Sequence, residues 1–380
     1  MKPLAPVLDH IDPDRLLKLL WDAVAEYSPT YNEGPALDVF IAALTEANLA
    51  FERDVVGDPE DERFNLWIQL GPDPVELVWV GHVDTVVRQD RGEIGPERDG
   101  DQLYGLGSAD MKSGCAAAVE GLIALKEAGV ALQRGVAVAL VVGEEEYGDG
   151  AEALLPRLKD RPLVVIGEPT GLRLCNEHFG YLEMRWTTGG TQVHAALPQT
   201  GDNAIHAMLS WLQRAIEITA SPDNDHVRVN PRQILGGSPM FIVPAECEAT
   251  VDFHVRPGGG LEPPQALTEA AAAVAAEAHP GCTFRHEDLF WAPGFRLEAD
   301  DARIAQLRNA FELAGVELRD DAFPSHSDGS LLFHAGCPTV ICGPGRLEVA
   351  HTHDEHVSIQ QTVDAARLYA AMFALTAAAR

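Results

Sequence analysis

The run Val75-Glu76-Leu77-Val78-Trp79-Val80, nearly continuously apolar and bounded by Pro74 and Gly81, most constrains what this chain can become. A strand without a polar side has to be buried on both faces, which is the situation in a parallel sheet covered by helices. Such sheets present their functional groups at the carboxyl ends of the strands. This strand runs into Gly81-His82-Val83-Asp84. In extended chain His82 and Asp84 point to one face, so the imidazole reads as a metal ligand and the carboxylate as the group that steadies its ring.

The pattern recurs twice. Residues 135–142 form an apolar run that leads into Gly143-Glu144-Glu145-Glu146, and residues 163–166 form another that leads into Gly167-Glu168-Pro169-Thr170. Between these strands, helices read at 13–27, where Leu16, Leu17, Leu20 and Val24 share a face, from Pro35, and at 113–128, closed by Gly129. Alternating strands and helices make an α/β chain. Near residue 178 the texture changes: alternating strands at 181–187 and 246–255 are each followed by a helix, at 204–220 and 265–278. From Pro293 the α/β texture resumes with a helix at 300–314, a strand at 338–341 and a helix at 359–379. The expected fold is therefore a doubly wound, mainly parallel-sheet catalytic domain built from residues 1–177 and 291–380. An α+β domain is inserted at 178–290. At 380 residues the chain is long enough for two cores.

Acidic residues outnumber basic ones by 58 − 28 = 30, a surplus that repels nucleic-acid phosphates and anionic membranes. No window approaches the ~18 apolar residues of a membrane span and the first residues lack a signal core, so a cytoplasmic location is expected. Six cysteines are scattered without a CxxC pair, which argues against thiolate zinc sites and disulfide frameworks and makes most of them small core residues.

The donors that remain are His82, Asp110, Glu145, Glu168 and His351, imidazole and carboxylate without thiolate. That mixture suits zinc, or cobalt or manganese in its place. Five ligands exceed what one ion with an open position needs, and fit two ions sharing a carboxylate; Asp110, on a Gly-rich turn, is the natural bridge. The acidic run 144–146 also supplies a base for a water held by metal. Either His351 or His353 could serve as the last ligand, and His194 reads by default as a surface residue.

In order along the chain stand Gly81-His82-Val83-Asp84, Gly107-Ser108-Ala109-Asp110-Met111-Lys112-Ser113-Gly114, the Glu run followed by Gly148-Asp149-Gly150, Gly167-Glu168-Pro169-Thr170 and His351-x-x-Asp354-Glu355. Together they resemble the zinc-dependent deacylase and exopeptidase family that contains acetylornithine deacetylase, succinyl-diaminopimelate desuccinylase, aminoacylase and glutamate carboxypeptidase. The resemblance implies a two-zinc amidohydrolase whose inserted domain is a lid and dimerisation surface. His82, Asp110 and Glu168 would hold one ion, and Asp110, Glu145 and His351 the other. Asp84 would orient His82, and the triple Glu can be set in two registers: counting back from Gly150 favours Glu144 as base and Glu145 as ligand, with Glu145 as base and Glu146 as ligand the other. His194 matches a family histidine that reaches the partner subunit's site in a homodimer and steadies the oxyanion, and Asp110-Met111 would be a cis peptide. The family's Asp-x-Arg reads here Asp252-Phe253-His254, with Arg256 two places later as the candidate for a substrate carboxylate. The expected substrate is a small N-acyl amino acid. A short peptide, cleaved by a dipeptidase or carboxypeptidase, is the alternative, and a non-catalytic binding protein that holds no metal is the remote one.

Overall fold

The computed structural model of the chain describes residues 5–88, 95–220, 226–258 and 262–378. Contacts divide it into two compact units: Met1–Asn176 with Leu297–Phe323 and Ser327–Arg380, and Glu177–Arg296 with Pro324–His326. In chain order the strands are β1 (Glu52–Val55), β2 (Phe64–Leu70), β3 (Val75–His82), β4 (Glu97–Asp99), β5 (Gln102–Tyr104), β6 (Gly135–Val141), β7 (Leu163–Pro169), β8 (Leu174–His178), β9 (Gly180–Gly189), β10 (Val227–Gly236), β11 (Glu246–Val255), β12 (Thr283–Ala292), β13 (Phe295–Arg296), β14 (Asp320–Phe323), β15 (Thr339–Gly343) and β16 (His356–Ser358).

The first unit is organised by a sheet ordered β1-β2-β6-β3-β7-β15-β8. Its four central strands, β6, β3, β7 and β15, run parallel to one another, while β1, β2 and β8 are antiparallel to their neighbours. Every residue of β6 and of β7 is buried, as continuous apolar sequence between two helical layers requires. Two helices, Ser113–Glu127 and Ile359–Ala377, cover this sheet, and Tyr369 packs against Trp79 with ring centroids 5.4 Å apart while its hydroxyl donates to Cys342 O at 2.8 Å. All six cysteines are unpaired and five of them are buried. A small antiparallel sheet, β16-β5-β4, sits beside the turn that carries Asp110, where Gly105 N donates to Glu355 O at 3.0 Å.

The second unit is an antiparallel sheet ordered β10-β11-β9-β12, with helices Ala204–Thr219 and Glu262–Ala278. Trp186 of β9 stacks on Trp211 at 4.2 Å. The sequence pattern gives only β9 and β11, and the structure corrects this by adding β10 and β12. Both are edge strands, mostly exposed, so neither shows a buried face. Pro231 at one register shift and a second shift between Asp288 and Phe290 break what alternation they have.

Candidate metal centre

Because β6, β3 and β7 are adjacent and parallel, their carboxyl ends lie along one edge of the sheet. His82 is the last residue of β3, Glu144 and Glu145 follow the end of β6, and Glu168 is the last but one of β7. The fourth contribution comes from the turn Ser108–Lys112, where the Asp110-Met111 peptide is cis. Glu355 holds this turn by accepting the amide protons of Ala109 and Asp110, each at 3.0 Å. From its other side the buried Lys112 ammonium donates to Ala23 O at 3.0 Å and Glu26 O at 2.7 Å, satisfying carbonyls at the end of helix Pro13–Ala25. Gly114 lets the next helix start close to β7, since a Cβ there would stand 2.8 Å from Gly167 O.

Asp110 lies between two imidazoles. His82 Nε2 is 3.2 Å from its Oδ1 and His351 Nε2 is 3.3 Å from its Oδ2. Glu145 approaches His351 Nε2 at 3.2 Å, and Glu168 and Glu144 approach His82 Nε2 at 3.7 and 3.9 Å. Donors held by one tetrahedral ion at ~2.0–2.1 Å are separated by about 3.3–3.4 Å, so these spacings suit a shared cation as well as hydrogen bonds. Two overlapping triads, His82–Asp110–Glu145 and His82–Glu144–Glu168, bring their donor atoms within 4.8 Å of one another. His353, the other candidate, is exposed with Nδ1 3.5 Å from Asp354, so it is His351 that faces the cluster.

Six carboxyl groups converge here, those of Asp84, Asp110, Glu144, Glu145, Glu168 and Asp328, against two imidazoles. Burial pushes the Glu144 and Glu168 carboxyls well above their ordinary range, and Asp328 up to about 7. Burial alone would lower the His82 imidazole, but its hydrogen bond to Asp110 and the charges of Glu144, Glu168 and Asp84 raise it well above the usual value. The same opposition leaves His351 raised to about 11 by Asp110 and Glu145. So much negative charge out of water is costly without cations, and divalent ions on these hard donors supply them.

Asp84 does more than the sequence indicates. His82 Nδ1 is 3.0 Å from the backbone oxygen of Asp84 and 3.6 Å from its carboxylate. The carboxylate itself accepts from Glu144 N at 3.3 Å, Glu145 N at 3.1 Å and the Thr30 hydroxyl at 2.9 Å. Thr30, Asp328 and Glu355 had no assigned role in the sequence; only Glu355, the last residue of the His351 motif, carried a signal that could have marked it.

His194 and Arg256 belong to the second unit, and the other seven site residues read from the sequence belong to the first. His194 is exposed, and its Nδ1 accepts the Ala196 amide proton at 3.1 Å, which puts its own proton on Nε2. Arg256 Nε lies 3.8 Å from Glu177, which Arg296 approaches more closely at 3.0 Å. His254 packs against Tyr181 at 5.4 Å.

A family model described as peptidase family M20/M25/M40 matches residues 78–374, a span that contains every donor of the cluster. The chain belongs to peptidase family M20/M25/M40. It is accordingly a metal-dependent hydrolase of amide bonds. Among similar M20 relatives, an acetylornithine deacetylase of Photorhabdus laumondii is 28% identical over 82% of this chain and 83% of its own length. An Aeropyrum pernix protein, provisionally named a LysW-lysine/LysW-ornithine hydrolase, is 29% identical over 93% of each chain. The fold is that of a Staphylococcus aureus tripeptidase, with a TM-score of 0.79 at 22% identity over 97% of this chain and 99% of that one. Among the described residues no helix is long and apolar enough to cross a membrane.

Proposed function

We propose that this M20 enzyme removes the acyl group from a small N-acyl amino acid, using two divalent metal ions of which zinc is the best fit. The observation that carries the reading is Asp110, whose two oxygens each face a different imidazole at 3.2 and 3.3 Å. One ion would be held by His82, Asp110 and Glu168, and the other by Asp110, Glu145 and His351. When bound, the pair would polarise the amide carbonyl and acidify the attacking water.

Glu144 is the base in this reading. Its carboxylate stands 3.9 Å from His82, whereas both Glu145 oxygens face His351 at 3.2 Å. Glu144 takes a proton from water as the oxygen attacks the carbonyl carbon, then returns it to the leaving nitrogen as the C–N bond breaks. A carboxylic acid and a free amino acid result. The Nε2–H of His194 suits donation to the developing oxyanion, supplied across a homodimer by the partner's second unit. Exposed Ile234, Leu235, Met240 and Phe241 around the β10 edge support such an interface. Arg256 would hold the substrate carboxylate through its guanidinium.

The deciding experiment is metal analysis together with hydrolysis of N-acetyl and N-succinyl amino acids against dipeptides. Two ions per chain and preference for the acylated substrates are expected. One ion at saturation, with Glu168→Ala fully active, would remove the dinuclear reading, and preference for dipeptides would make the enzyme an exopeptidase.

A further inference from the structure

The rim of the cluster carries an aromatic corner that the hydrolytic chemistry does not use. Tyr31 and Tyr147 are 56% and 65% exposed, yet their rings meet edge to face, with centroids 5.9 Å apart and planes at 72°. Tyr147 is two residues past Glu145, so its Cα lies within about 7 Å of that residue's Cα. Tyr31 follows Thr30, whose hydroxyl is bonded to Asp84. Both tyrosines are thus tied to the residues that shape the cluster.

The corner is built rather than incidental. Buried Arg63 lies over the Tyr31 ring, its guanidinium carbon 4.3 Å from the centroid, and is bonded to Glu33 at 2.8 Å and to Asp149, the first residue of the helix after the loop that carries Tyr147. The base of that loop is closed by Asn65, which donates to Gly150 O at 2.8 Å and accepts from Val142 N at 3.2 Å. Gly143, at φ +78°, has no room for a side chain, because a Cβ would meet Asp149 and Arg63. Exposed Glu146 adjoins Tyr147 in the chain and brings a carboxylate to the corner.

Charge decides what such a corner attracts. Arg63 contributes +1 and Glu33, Asp149 and Glu146 contribute −3, leaving −2 beside two aromatic rings with exposed surface. Ring faces and uncompensated carboxylates together favour an ammonium or guanidinium over an apolar group of the same length. We propose that Tyr31, Tyr147 and Glu146 form a specificity subsite for a cationic side chain on the amino-acid part of the substrate. The proposal rests on the amide-hydrolase reading above for its place in the reaction, but not for binding itself.

The test compares N-acetyllysine with N-acetylnorleucine, which lacks the terminal ammonium, on metal-loaded wild type, Tyr147→Ala, Tyr31→Ala and Glu146→Gln. The wild-type ratio of kcat/KM, lysine over norleucine, is expected to exceed one and to fall about fivefold in each variant. Tyr147→Phe, which keeps the ring, should retain most of the preference. Calorimetry with free lysine and norleucine gives a second readout that needs no turnover, and the lysine preference should weaken in the same variants. Wild type that hydrolyses no N-acyl amino acid yet binds lysine selectively through these residues would remove the functional reading and keep the subsite. Hydrolysis with unchanged ratios and unchanged lysine binding in all three variants would remove the subsite and keep the function. A stronger preference for N-acetylphenylalanine, lost in the tyrosine variants, would overturn the cationic assignment in favour of aromatic stacking.

Discussion

The Asp84 carboxylate accepts the amide proton of Glu145 at 3.1 Å, joining the end of one parallel strand to the loop after its neighbour. The same group takes the Glu144 amide and the Thr30 hydroxyl, so one buried carboxylate sets the position of both functional glutamates. Its loss should act on the loop as well as on His82. Asp84→Ala strands two amide protons, and activity is expected to fall 10- to 100-fold with weaker metal retention. Thr30→Val, which removes only the hydroxyl donor, should cost much less. Unchanged turnover and metal content in Asp84→Ala would show that the loop holds its shape without this tether.

The two glutamates should fail differently. Glu144→Gln keeps the shape of the side chain but cannot take a proton, so metal content stays and kcat falls ~10²-fold or more. Glu145→Gln replaces a carboxylate facing His351 with a poorer ligand, so metal is retained less well. The test is metal content and kcat measured on the same preparations. Metal loss in Glu144→Gln, combined with full retention in Glu145→Gln, would reverse the assignment, which the closeness of Glu144 to His82 and Glu168 makes a real alternative.

The parts that were readable in the sequence are those where burial dictates composition. β3, β6 and β7 are apolar because both faces are covered, and their ends mark where His82, Glu145 and Glu168 emerge. What the sequence hid are contacts between distant loops. Glu355 reaches Asp110 across 245 positions and Glu144 reaches Asp84 across 60, and no local periodicity encodes either bond. The edge strands β10 and β12 escaped for the opposite reason, since exposure on both faces removes the selection for an alternating pattern.

His194 offers a test of action across a dimer. In a two-fold dimer, mixing His194→Ala chains with Glu144→Gln chains leaves one site of each hybrid with an intact Glu144 and a partner's intact His194. Random pairing makes half the dimers hybrids, each with one of two sites restored, so about one quarter of wild-type activity should return. Hybrids verified by mass that remain as inactive as the parents would place His194 outside the partner's site.

Stability in acid should depend on the histidines of the second unit. His326 packs among Tyr181 at 5.8 Å, Phe290 at 5.8 Å and His178 at 6.2 Å, and burial, with the charge of His254, lowers it to about 4. Fully buried His178 is lowered well below its usual value by burial and by His326. A histidine whose folded value lies below the unfolded ~6.5 leaves the native state with fewer protons than the unfolded chain between those two values. Its contribution is therefore complete above about pH 6.5 and is lost as pH falls toward 4. From pH 6.5 to 5 His326 alone should remove roughly 2 kcal/mol. His326→Phe keeps a flat ring without the proton site, so its urea midpoint should fall less steeply over that interval than the wild type's. Taking the difference between the two metal-loaded proteins cancels the titration of the first unit, and parallel curves would mean that His326 takes up its proton without opposing the fold.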